Sequence, residues 1–276
     1  MMFKILKVLN NNGILAIDMK TKKEWIFLGN GIGFGKKVNQ NIEKIENAKA
    51  YSLVKKTSRG ETSQILKGLD AVFIEIAGDI LEEAKKAFGK VDNQILLPLA
   101  DHIAFSIQRI SQNMELNNPF HNEIKVLFEE EYQVALKGKE IIQNKTGHTI
   151  SEDEVGYITL HIHTALTSEQ ISQAMNITML IQEGLKTIEE KLDILIDKDS
   201  ISYTRLINHM KFMIARVKTN EKLNLNMTEY VLENFLDSFQ IAKEVCSSFE
   251  KVIQKEIPEI EVGYLALHIE RVRSLE

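Results

Sequence analysis

Four of the seven histidines form two pairs with the same internal spacing. His102 and His161 lie 59 residues apart, His209 and His268 repeat that spacing, and the second pair follows the first by 107 residues. Neutral imidazole is a competent nucleophile near neutral pH, so a repeated histidine pair indicates phosphoryl transfer through nitrogen. The alternative is that these histidines only pack and hydrogen-bond on helix faces. Their repetition at one offset favours the chemical interpretation.

Each pair is accompanied by an aromatic residue and an arginine at fixed positions. Phe105 and Arg109 follow the first histidine of one pair by three and seven residues, and Phe212 and Arg216 do so in the other. At this spacing the three side chains share one face of a helix. Arginine offers a forked, permanently charged donor to phosphate oxygens, so we expect both arginines to support a phosphoryl group on the histidines.

The histidine pairs belong to a longer duplication. Residues 154–162, EVGYITLHI, return as EVGYLALHI at 261–269, and residues 101–109 align with 208–216 at the same offset without a gap. A repeat of this length is typical of two copies of one structural module.

The duplicated part of the chain is predicted to be helical. From about Gln64 onward, apolar residues recur at the spacing of amphipathic helices. We therefore predict two homologous all-α helical bundles, residues 61–168 and 169–276. Residues 55–60, which are charged and contain serine and glycine, are the predicted linker to what precedes them.

A basic N-terminal head precedes the bundles. Residues 1–57 contain eleven lysines and four acidic residues, a balance of +7 in a chain whose overall charge is −5. Their apolar residues fall in three short runs, Ile5–Leu9, Ile14–Ile17 and Trp25–Leu28, separated by turn-prone polar segments. This pattern predicts a small all-β domain of antiparallel strands, within a protein that is otherwise mainly α. A basic head favours a polyanionic partner, and so small a sheet favours dimerisation.

The glycine-rich segment Gly29–Lys37 lacks the spacing of a nucleotide-binding loop. A phosphate-binding loop needs glycine where Asn30 stands and serine or threonine where Lys37 stands, and no G-x-G-x-x-G pattern fits. The segment does offer an exposed backbone, lysines and Phe34, which suits stacking on the bases of single-stranded or looped RNA. A glycine-rich hairpin turn with solvated lysines remains an equal alternative for the loop by itself.

Metal, disulfide and membrane chemistry are not indicated. His161 and His163 do not share a helix face, and the second copy has Glu270 where His163 stands, so we predict no metal site and no cofactor. Cys246 is a single cysteine, which indicates a reducing compartment. No apolar run approaches the roughly 18 residues of a membrane span. Since the N-terminus also does not read as a signal peptide, we expect a cytoplasmic protein without membrane insertion.

Three motifs in this order resemble the sugar-operon transcriptional antiterminators of the β-glucoside and sucrose type. They are Asn10–Asn12, the segment Gly29–Lys37, and two modules that each carry an Asp/Asn-His and a Leu-His-Ile sequence. The resemblance covers essentially the whole chain. Leu160–His163 and Arg205–His209 look closest to the branch that controls glucose-transporter genes.

The resemblance implies a co-antiterminator domain that dimerises, binds an RNA hairpin in nascent mRNA and blocks an overlapping terminator. It implies two regulatory modules phosphorylated by the general carrier protein HPr and by sugar-specific transporter (enzyme II) domains. The implied phosphorylation sites are His102, His161, His209 and His268. The implied RNA contacts lie at or near Lys7, Asn10, Asn12, Gly29, Asn30 and Phe34. Asn30 departs from the family, in which lysine or arginine is usual.

Two other classes of protein remain as alternatives to an antiterminator. A DNA-binding transcriptional activator with the same modules requires a helix-turn-helix head, whereas residues 1–57 show short strands and turns. A phosphocarrier that passes phosphate onward requires a substrate pocket and leaves the basic head without a role. We predict that the chain accepts phosphate without being an enzyme.

Overall fold

The computed structural model describes residues 2–43, 48–53, 56–57, 60–61, 66, 68–114, 116–167 and 169–274. These residues form strands at the N-terminus followed by ten α-helices. They divide into two compact units, a first unit of residues 1–118 with 130–171 and a second unit of residues 119–129 with 172–276. Among the described helices, none has the length and apolar character needed to cross a membrane.

The N-terminal head is an antiparallel five-stranded sheet in the order β4-β1-β2-β3-β5. Its strands are β1 (Met2–Asn10), β2 (Gly13–Asp18), β3 (Glu24–Leu28), β4 (Asn41–Glu43) and β5 (Lys49–Ser52). The three strands predicted from apolar runs are confirmed. The two edge strands were not predicted, because strands of three and four residues carry too little alternation to be recognised.

One face of the sheet has a core of its own. Phe3 of β1 and Phe27 of β3 meet edge to face, with ring centroids 4.9 Å apart. Ile5, Ile14 and Ile32 are buried beside them, and Ile32 comes from the glycine-rich segment rather than from a strand. Packing against the sheet thus fixes that segment at its middle.

The other face of the sheet packs against the first helix, α1 (Ala71–Phe88). Gly78 allows a close approach, since a Cβ added there would lie 2.8 Å from Cδ1 of Leu28. Tyr51 of β5 donates a hydrogen bond from its hydroxyl to the carbonyl of Gly78 at 3.2 Å. The sheet and the first helix therefore share one hydrophobic core.

The predicted linker is partly described. Lys56–Thr57 and Gly60–Glu61 form a short antiparallel pair, β6 and β7. Lys55, Ser58 and Arg59 lie outside the described residues, as do Gln64 and Ile65, where the helical period was predicted to begin.

The helices confirm the predicted duplication. After α1 the chain forms a 3₁₀ turn (Asn93–Ile95) and nine helices, which are α2 (Leu96–Ser111), α3 (His121–Leu127), α4 (Glu129–Thr146), α5 (Glu152–Leu166), α6 (Ile171–Leu192), α7 (Ile201–Thr219), α8 (Thr228–Asn234), α9 (Leu236–Ile253) and α10 (Glu259–Arg273). Helices α8, α9 and α10 repeat the bounds of α3, α4 and α5 at an offset of 107 residues. Helix α7 covers the positions that correspond to α2.

The short helix α3 belongs to the second unit. Its Glu123 is buried and accepts a hydrogen bond from the hydroxyl of Tyr203 on α7 at 3.0 Å. Its repeat counterpart α8 packs on α10, where a Cβ added to Gly263 would lie 3.2 Å from Oγ1 of Thr228. This close approach is a physical reason for glycine at position 263.

Candidate functional site

The asparagine turn and the glycine-rich segment form one hydrogen-bonded unit at the end of the sheet. The backbone N–H of Gly29 donates to the carbonyl of Asn12 at 2.8 Å, and that of Gly33 donates to the carbonyl of Asn11 at 2.9 Å. The side chain of Asn12 accepts from the backbone N–H of Gly31 at 3.1 Å. Residues that the sequence predicts to bind RNA are thus brought together from two distant stretches.

Glycine is required at the point where the two stretches touch. A Cβ added to Gly33 would lie 1.9 Å from the carbonyl oxygen of Asn10, so no other residue fits without moving the turn. Gly31 and Gly35 have φ of +71° and +67°, a left-handed conformation that other residues adopt at a cost. These contacts fix the backbone on both sides of Phe34.

The side chains on this unit differ in their availability. Phe34 is 75% exposed, which is exceptional for an aromatic side chain on a small sheet, and Asn30 is also exposed. The ammonium group of Lys7 donates to the carbonyl of Leu66 at 3.0 Å, although the residue as a whole is exposed. Phe34 and Asn30 are therefore open to a ligand.

Asn10 and Asn12 are instead engaged by an acidic side chain of α1. Nδ2 of Asn10 donates to Oε1 of Glu75 at 2.5 Å, and Nδ2 of Asn12 lies 3.5 Å from Oε2 of the same carboxylate. A cleft of about 400 Å³ opens beside this contact. It is lined by Asn12, Leu28, Gly29, Asn30, Lys49, Glu75, Asp79 and Lys145.

The first histidine pair lies between α2 and α5. The ring centroids of His102 and His161 are 5.1 Å apart, and the ring of Tyr157 is 5.9 Å from that of His102. Both histidines are only 8% exposed. On α2, the guanidinium of Arg109 stacks over the ring of Phe105 at 4.6 Å, as the shared helix face predicts.

A buried glutamate links the first histidine to its arginine. Oε2 of Glu154 lies 3.2 Å from Nε2 of His102, and Oε1 accepts a hydrogen bond from Nη2 of Arg109. Glu154 is 3% exposed. Burial alone raises the pKa of a carboxyl group, but here His102 and Arg109 outweigh burial and hold the pKa of Glu154 below its ordinary value.

The second histidine pair lies between α7 and α10 and is more compact. The rings of His209 and His268 are stacked with centroids 4.5 Å apart, and both residues are only partly buried. Burial, together with His268 and Arg216, lowers the pKa of His209 to about 3. Burial, with Arg271 and Arg205, lowers the pKa of His268 to about 4. Both imidazoles are therefore neutral near pH 7, as a nitrogen nucleophile must be.

In the second pair the glutamate binds the arginine alone. Glu261 receives two hydrogen bonds of 2.7 Å from Nε and Nη2 of Arg216, a bidentate pair with Glu261 3% exposed. Nε2 of His209 is buried and has no hydrogen-bond partner among the described residues.

The glutamates at both sites were not predicted from the sequence. Glu154 and Glu261 stand first in the repeated EVGY sequence, 52 residues after the first histidine of their own module. Their repetition at the same offset was a signal of the kind that identified the histidines. Glu75 offered no comparable signal, because its importance depends on the folded contact between α1 and the asparagine turn.

No group of three or more possible metal-ligating side chains occurs within the part of the chain that the structure describes. His163 contacts Glu131, with Nδ1 and Oε1 2.9 Å apart. Its repeat counterpart Glu270 accepts a hydrogen bond from Ser238 at 2.6 Å, and Ser238 is the counterpart of Glu131. In the first copy the acidic residue of this contact is Glu131, whereas in the second copy it is Glu270, which stands at the position of His163.

Two family models match the chain in the places where these features lie. The model of the CAT RNA binding domain matches residues 3–59, which include the sheet with its asparagine turn and glycine-rich segment. The model of the PRD domain matches twice, at residues 75–165 and 182–272, and each match contains one histidine pair.

The chain is also similar to named proteins over nearly its whole length. It is 34% identical over 276 residues to the protein GlcT of Staphylococcus saprophyticus, and this alignment covers 97% of this chain and 96% of that protein. It is 33% identical to the PtsGHI operon antiterminator of Bacillus subtilis over 280 residues, with 99% and 98% covered. With the transcription antiterminator LicT of Bacillus subtilis it shares 29% identity over 273 residues, 98% of each chain.

A solved structure supports the same assignment. The crystal structure of GlcT CAT-PRDI is 35% identical, has a TM-score of 0.51, and covers 60% of this chain and 99% of that one. The described head, residues 2–43 and 48–53, contains strands and turns and no helix, so it offers no helix-turn-helix for the DNA-binding alternative. The resemblance noted from the sequence is confirmed. The chain belongs to the family of transcriptional antiterminators that join a CAT RNA-binding domain to two PRD domains.

Proposed function

We propose that this chain is a transcriptional antiterminator that binds an RNA hairpin in nascent mRNA and blocks formation of a terminator. Histidine phosphorylation by the sugar phosphotransferase system controls the binding. The observation that carries the proposal is the succession of one CAT domain and two PRD domains, each PRD holding a duplicated histidine pair. In this role the chain accepts phosphate and acts as a regulator, not as an enzyme.

The RNA contacts are proposed for the unit formed by the asparagine turn and the glycine-rich segment. The 75% exposure of Phe34 supports base stacking, which is tolerant of sequence and suits a looped RNA. The excess of lysines in the head supports contact with phosphates. The proposed contacts are Lys7, Asn10, Asn12, Gly29, Asn30 and Phe34.

Phosphoryl groups are proposed to be accepted by histidines of both modules. Each pair combines two imidazoles, with ring centroids 5.1 Å apart in the first pair and 4.5 Å in the second, and an arginine on the same helix as the first histidine. The proposed acceptors are His102, His161, His209 and His268, and the proposed supporting residues are Arg109 and Arg216.

The proposed donors are the carrier protein HPr and the enzyme II domains of sugar transporters, which act in the cytoplasm. We propose that the chain works as a homodimer, because paired heads present two binding surfaces to one RNA. Each phosphorylation adds about −1.5 to −2 charges at a packed site. Charge of that size is sufficient to shift a dimer equilibrium and with it the geometry of the heads.

RNA binding is tested with a short RNA hairpin and the full chain. Phe34→Ala is expected to weaken hairpin binding by roughly tenfold or more, since a stacked base contributes about 1–3 kcal/mol. Val38→Ala is the matched control, because Val38 is 55% exposed and lies just beyond the same segment. A wild-type chain that binds duplex DNA as well as the hairpin would refute the proposal.

Phosphorylation is tested by incubating the chain with phosphorylated HPr or with a phosphorylated enzyme II domain. Acid-labile phosphate is then mapped by mass spectrometry. Label is expected on histidines of the two pairs, whereas His121 and His148, which lie outside them, serve as internal controls. Absence of label from all four paired histidines would contradict the proposal and would mean that these histidines serve only in packing.

A further inference from the structure

The two histidine sites contain the same residue types in different arrangements. In the first site Glu154 is shared between His102 and Arg109, whereas in the second Glu261 gives both its oxygens to Arg216. The difference concerns which groups the buried carboxylate contacts: a histidine nitrogen and an arginine in the first site, but the arginine alone in the second.

We infer that Glu154 is a positioning residue that blocks phosphoryl transfer to His102 until its carboxylate is displaced, whereas no carboxylate blocks Nε2 of His209 among the described residues. The inference rests on the proposed function, because it assumes that these histidines accept phosphoryl groups. It adds Glu154 to the residues of the phosphorylation site, and it predicts that the second module is phosphorylated faster than the first.

The Glu154 carboxylate occupies space that a phosphoryl group on Nε2 of His102 would need. Its Oε2 lies 3.2 Å from Nε2 of His102. A phosphorus atom bonded to Nε2 lies well inside that distance, and its oxygens would overlap the carboxylate. Glu154 is also anionic, because His102 and Arg109 hold its pKa below the ordinary value. Phosphoryl oxygens and the carboxylate would therefore repel each other as well as collide.

Glu154 satisfies only part of the Arg109 guanidinium. Nη2 of Arg109 donates to Glu154, while Nε of Arg109 is buried and has no hydrogen-bond partner among the described residues. A buried donor without a hydrogen-bond partner destabilises the fold, and a phosphoryl oxygen that accepted its hydrogen bond would remove that penalty. Displacing Glu154 would also free Nη2, giving the phosphoryl group both donors of the fork.

In the second site the carboxylate of Glu261 binds Arg216 and not the histidine. Both donors of Arg216 are occupied by Glu261. Nε2 of His102 and Nε2 of His209 are both buried without a hydrogen-bond partner among the described residues. Only the nitrogen of His102 has a carboxylate oxygen beside it among those residues, at 3.2 Å. His209 and His268 are also more exposed than His102 and His161, which are 8% exposed. A phosphoryl group can therefore reach the nitrogen of His209 without displacing a carboxylate from it.

The transfer step is the same at both sites. The donor's P–N bond breaks and its nitrogen leaves with the electron pair, while the lone pair of the histidine nitrogen forms the new P–N bond. The other ring nitrogen of the acceptor keeps its proton, so no oxidant or further reactant is needed. With phosphoramidate as the donor, the leaving group is ammonia.

The test uses the full chain and phosphoramidate, so it depends on no protein partner. Initial rates of labelling at His102 and His209 are measured by mass spectrometry under alkaline conditions. In the wild-type chain His209 is expected to be labelled faster than His102. Glu154→Gln is expected to raise the His102 rate by about tenfold, the change that losing one hydrogen bond to a charged group produces, and to leave His209 unchanged.

Two further variants separate the proposed role from a general loosening of the module. Glu261→Gln, the matched change in the second module, is expected to leave the His102 rate unchanged. Adding Arg109→Ala to Glu154→Gln is expected to abolish the gain, because the freed arginine attracts the phosphoryl group. A gain that survives without Arg109 would show that Glu154→Gln only loosens the packing, and would overturn the inference.

The remaining outcomes distinguish this inference from the proposed function. If no paired histidine is labelled by phosphoramidate or by phosphorylated HPr, both fail. If the histidines are labelled but His102 and His209 react at equal rates in the wild-type chain, only the inference fails. That comparison needs no variant, so it also decides the matter if Glu154→Gln does not fold.

Discussion

Nδ2 of Asn10, in the turn of the RNA-binding sheet, donates a 2.5 Å hydrogen bond to Oε1 of Glu75 on the first helix of the first PRD domain. The same carboxylate lies 3.5 Å from Nδ2 of Asn12. Glu75 and Asp79 also line the cleft that contains Gly29 and Asn30. Lys145 lines the same cleft and lies 3.4 Å from Oε2 of Glu75 and 2.9 Å from Oδ2 of Asp79. The Glu75 carboxylate is the acidic group in direct contact with Asn10, so an RNA phosphate that approaches Asn10 would meet that carboxylate first.

Glu75→Gln is therefore expected to strengthen hairpin binding by the full chain. The substitution keeps the shape of the side chain but removes its charge, which weakens its hold on Asn10 and its repulsion of phosphate. A hydrogen bond to a charged group contributes about 1.5–3 kcal/mol, so the expected gain is about tenfold in affinity. A filter-binding or fluorescence titration at fixed salt measures it.

Glu83→Gln is the matched control for Glu75. Glu83 lies on the same helix, and its described ion pairs are with Lys86 at 2.5 Å and Lys137 at 3.4 Å. The control removes the same charge from the same helix without touching the asparagine turn. Equal gains in the two variants would mean that net charge, not the contact with Asn10, sets the affinity.

Gly33→Ala is expected to be more damaging than Gly31→Ala, although both glycines lie in the same segment. A Cβ at position 33 would lie 1.9 Å from the carbonyl oxygen of Asn10, whereas a Cβ at position 31 meets nothing within 4 Å and suffers only the cost of its φ of +71°. We expect Gly31→Ala to cost about 1 kcal/mol and Gly33→Ala more, with loss of hairpin binding. Urea unfolding and RNA titration measure the two effects. Equal losses of unfolding free energy in the two variants would show that the asparagine turn moves easily enough to make room for a Cβ at position 33.

The strands that the sequence predicts are those with a continuous apolar run. β4 was missed because only Ile42 of its three residues is buried, and pairing with β1 creates the strand. The helices were predictable because their apolar period is long and occurs twice. The placement of α3 in the second unit was not, because its buried Glu123 finds its partner Tyr203 eighty residues away.

The histidine pairs were predictable for a different reason. Duplication in the sequence marks His102 and His209 as equivalent, and a rigid helical scaffold brings each to its partner. The different roles of Glu154 and Glu261 do not follow from identical sequence motifs. They arise because one carboxylate bridges a histidine and an arginine while the other binds its arginine alone.

Arg216→Ala is expected to destabilise the second unit by about 3–5 kcal/mol, because it leaves Glu261 as an unpaired buried charge. The side chains of Arg216 and Glu261 are 18% and 3% exposed. Arg273→Ala is the control, since the side chain of Arg273 is 47% exposed and its ion pairs, with Asp237 at 3.6 Å and with Glu270 at 3.8 Å, are long. That change is expected to cost less than about 1 kcal/mol.

The measurement for this pair is chemical unfolding followed by circular dichroism. Adding Glu261→Gln to Arg216→Ala is expected to recover part of the loss, because the buried charge is removed together with its partner. If Arg216→Ala is no more destabilising than Arg273→Ala, the buried ion pair is not a determinant of the second unit's stability.

Stability of the second unit is expected to fall as the pH falls from about 6.5 toward about 3. The pKa of His209 is lowered to about 3 and that of His268 to about 4, so the folded chain keeps both neutral where the unfolded chain has bound protons. Because the unfolded state binds more protons in this window, the free energy of unfolding increases with pH. His209→Asn is expected to reduce the dependence to the part that His268 contributes, whereas His148→Asn, outside both pairs, is expected to preserve it. Hydrogen exchange of amides in α7 and α10 between pH 7 and pH 5 measures the slope, and a slope unchanged by His209→Asn would contradict the burial of a neutral imidazole at that position.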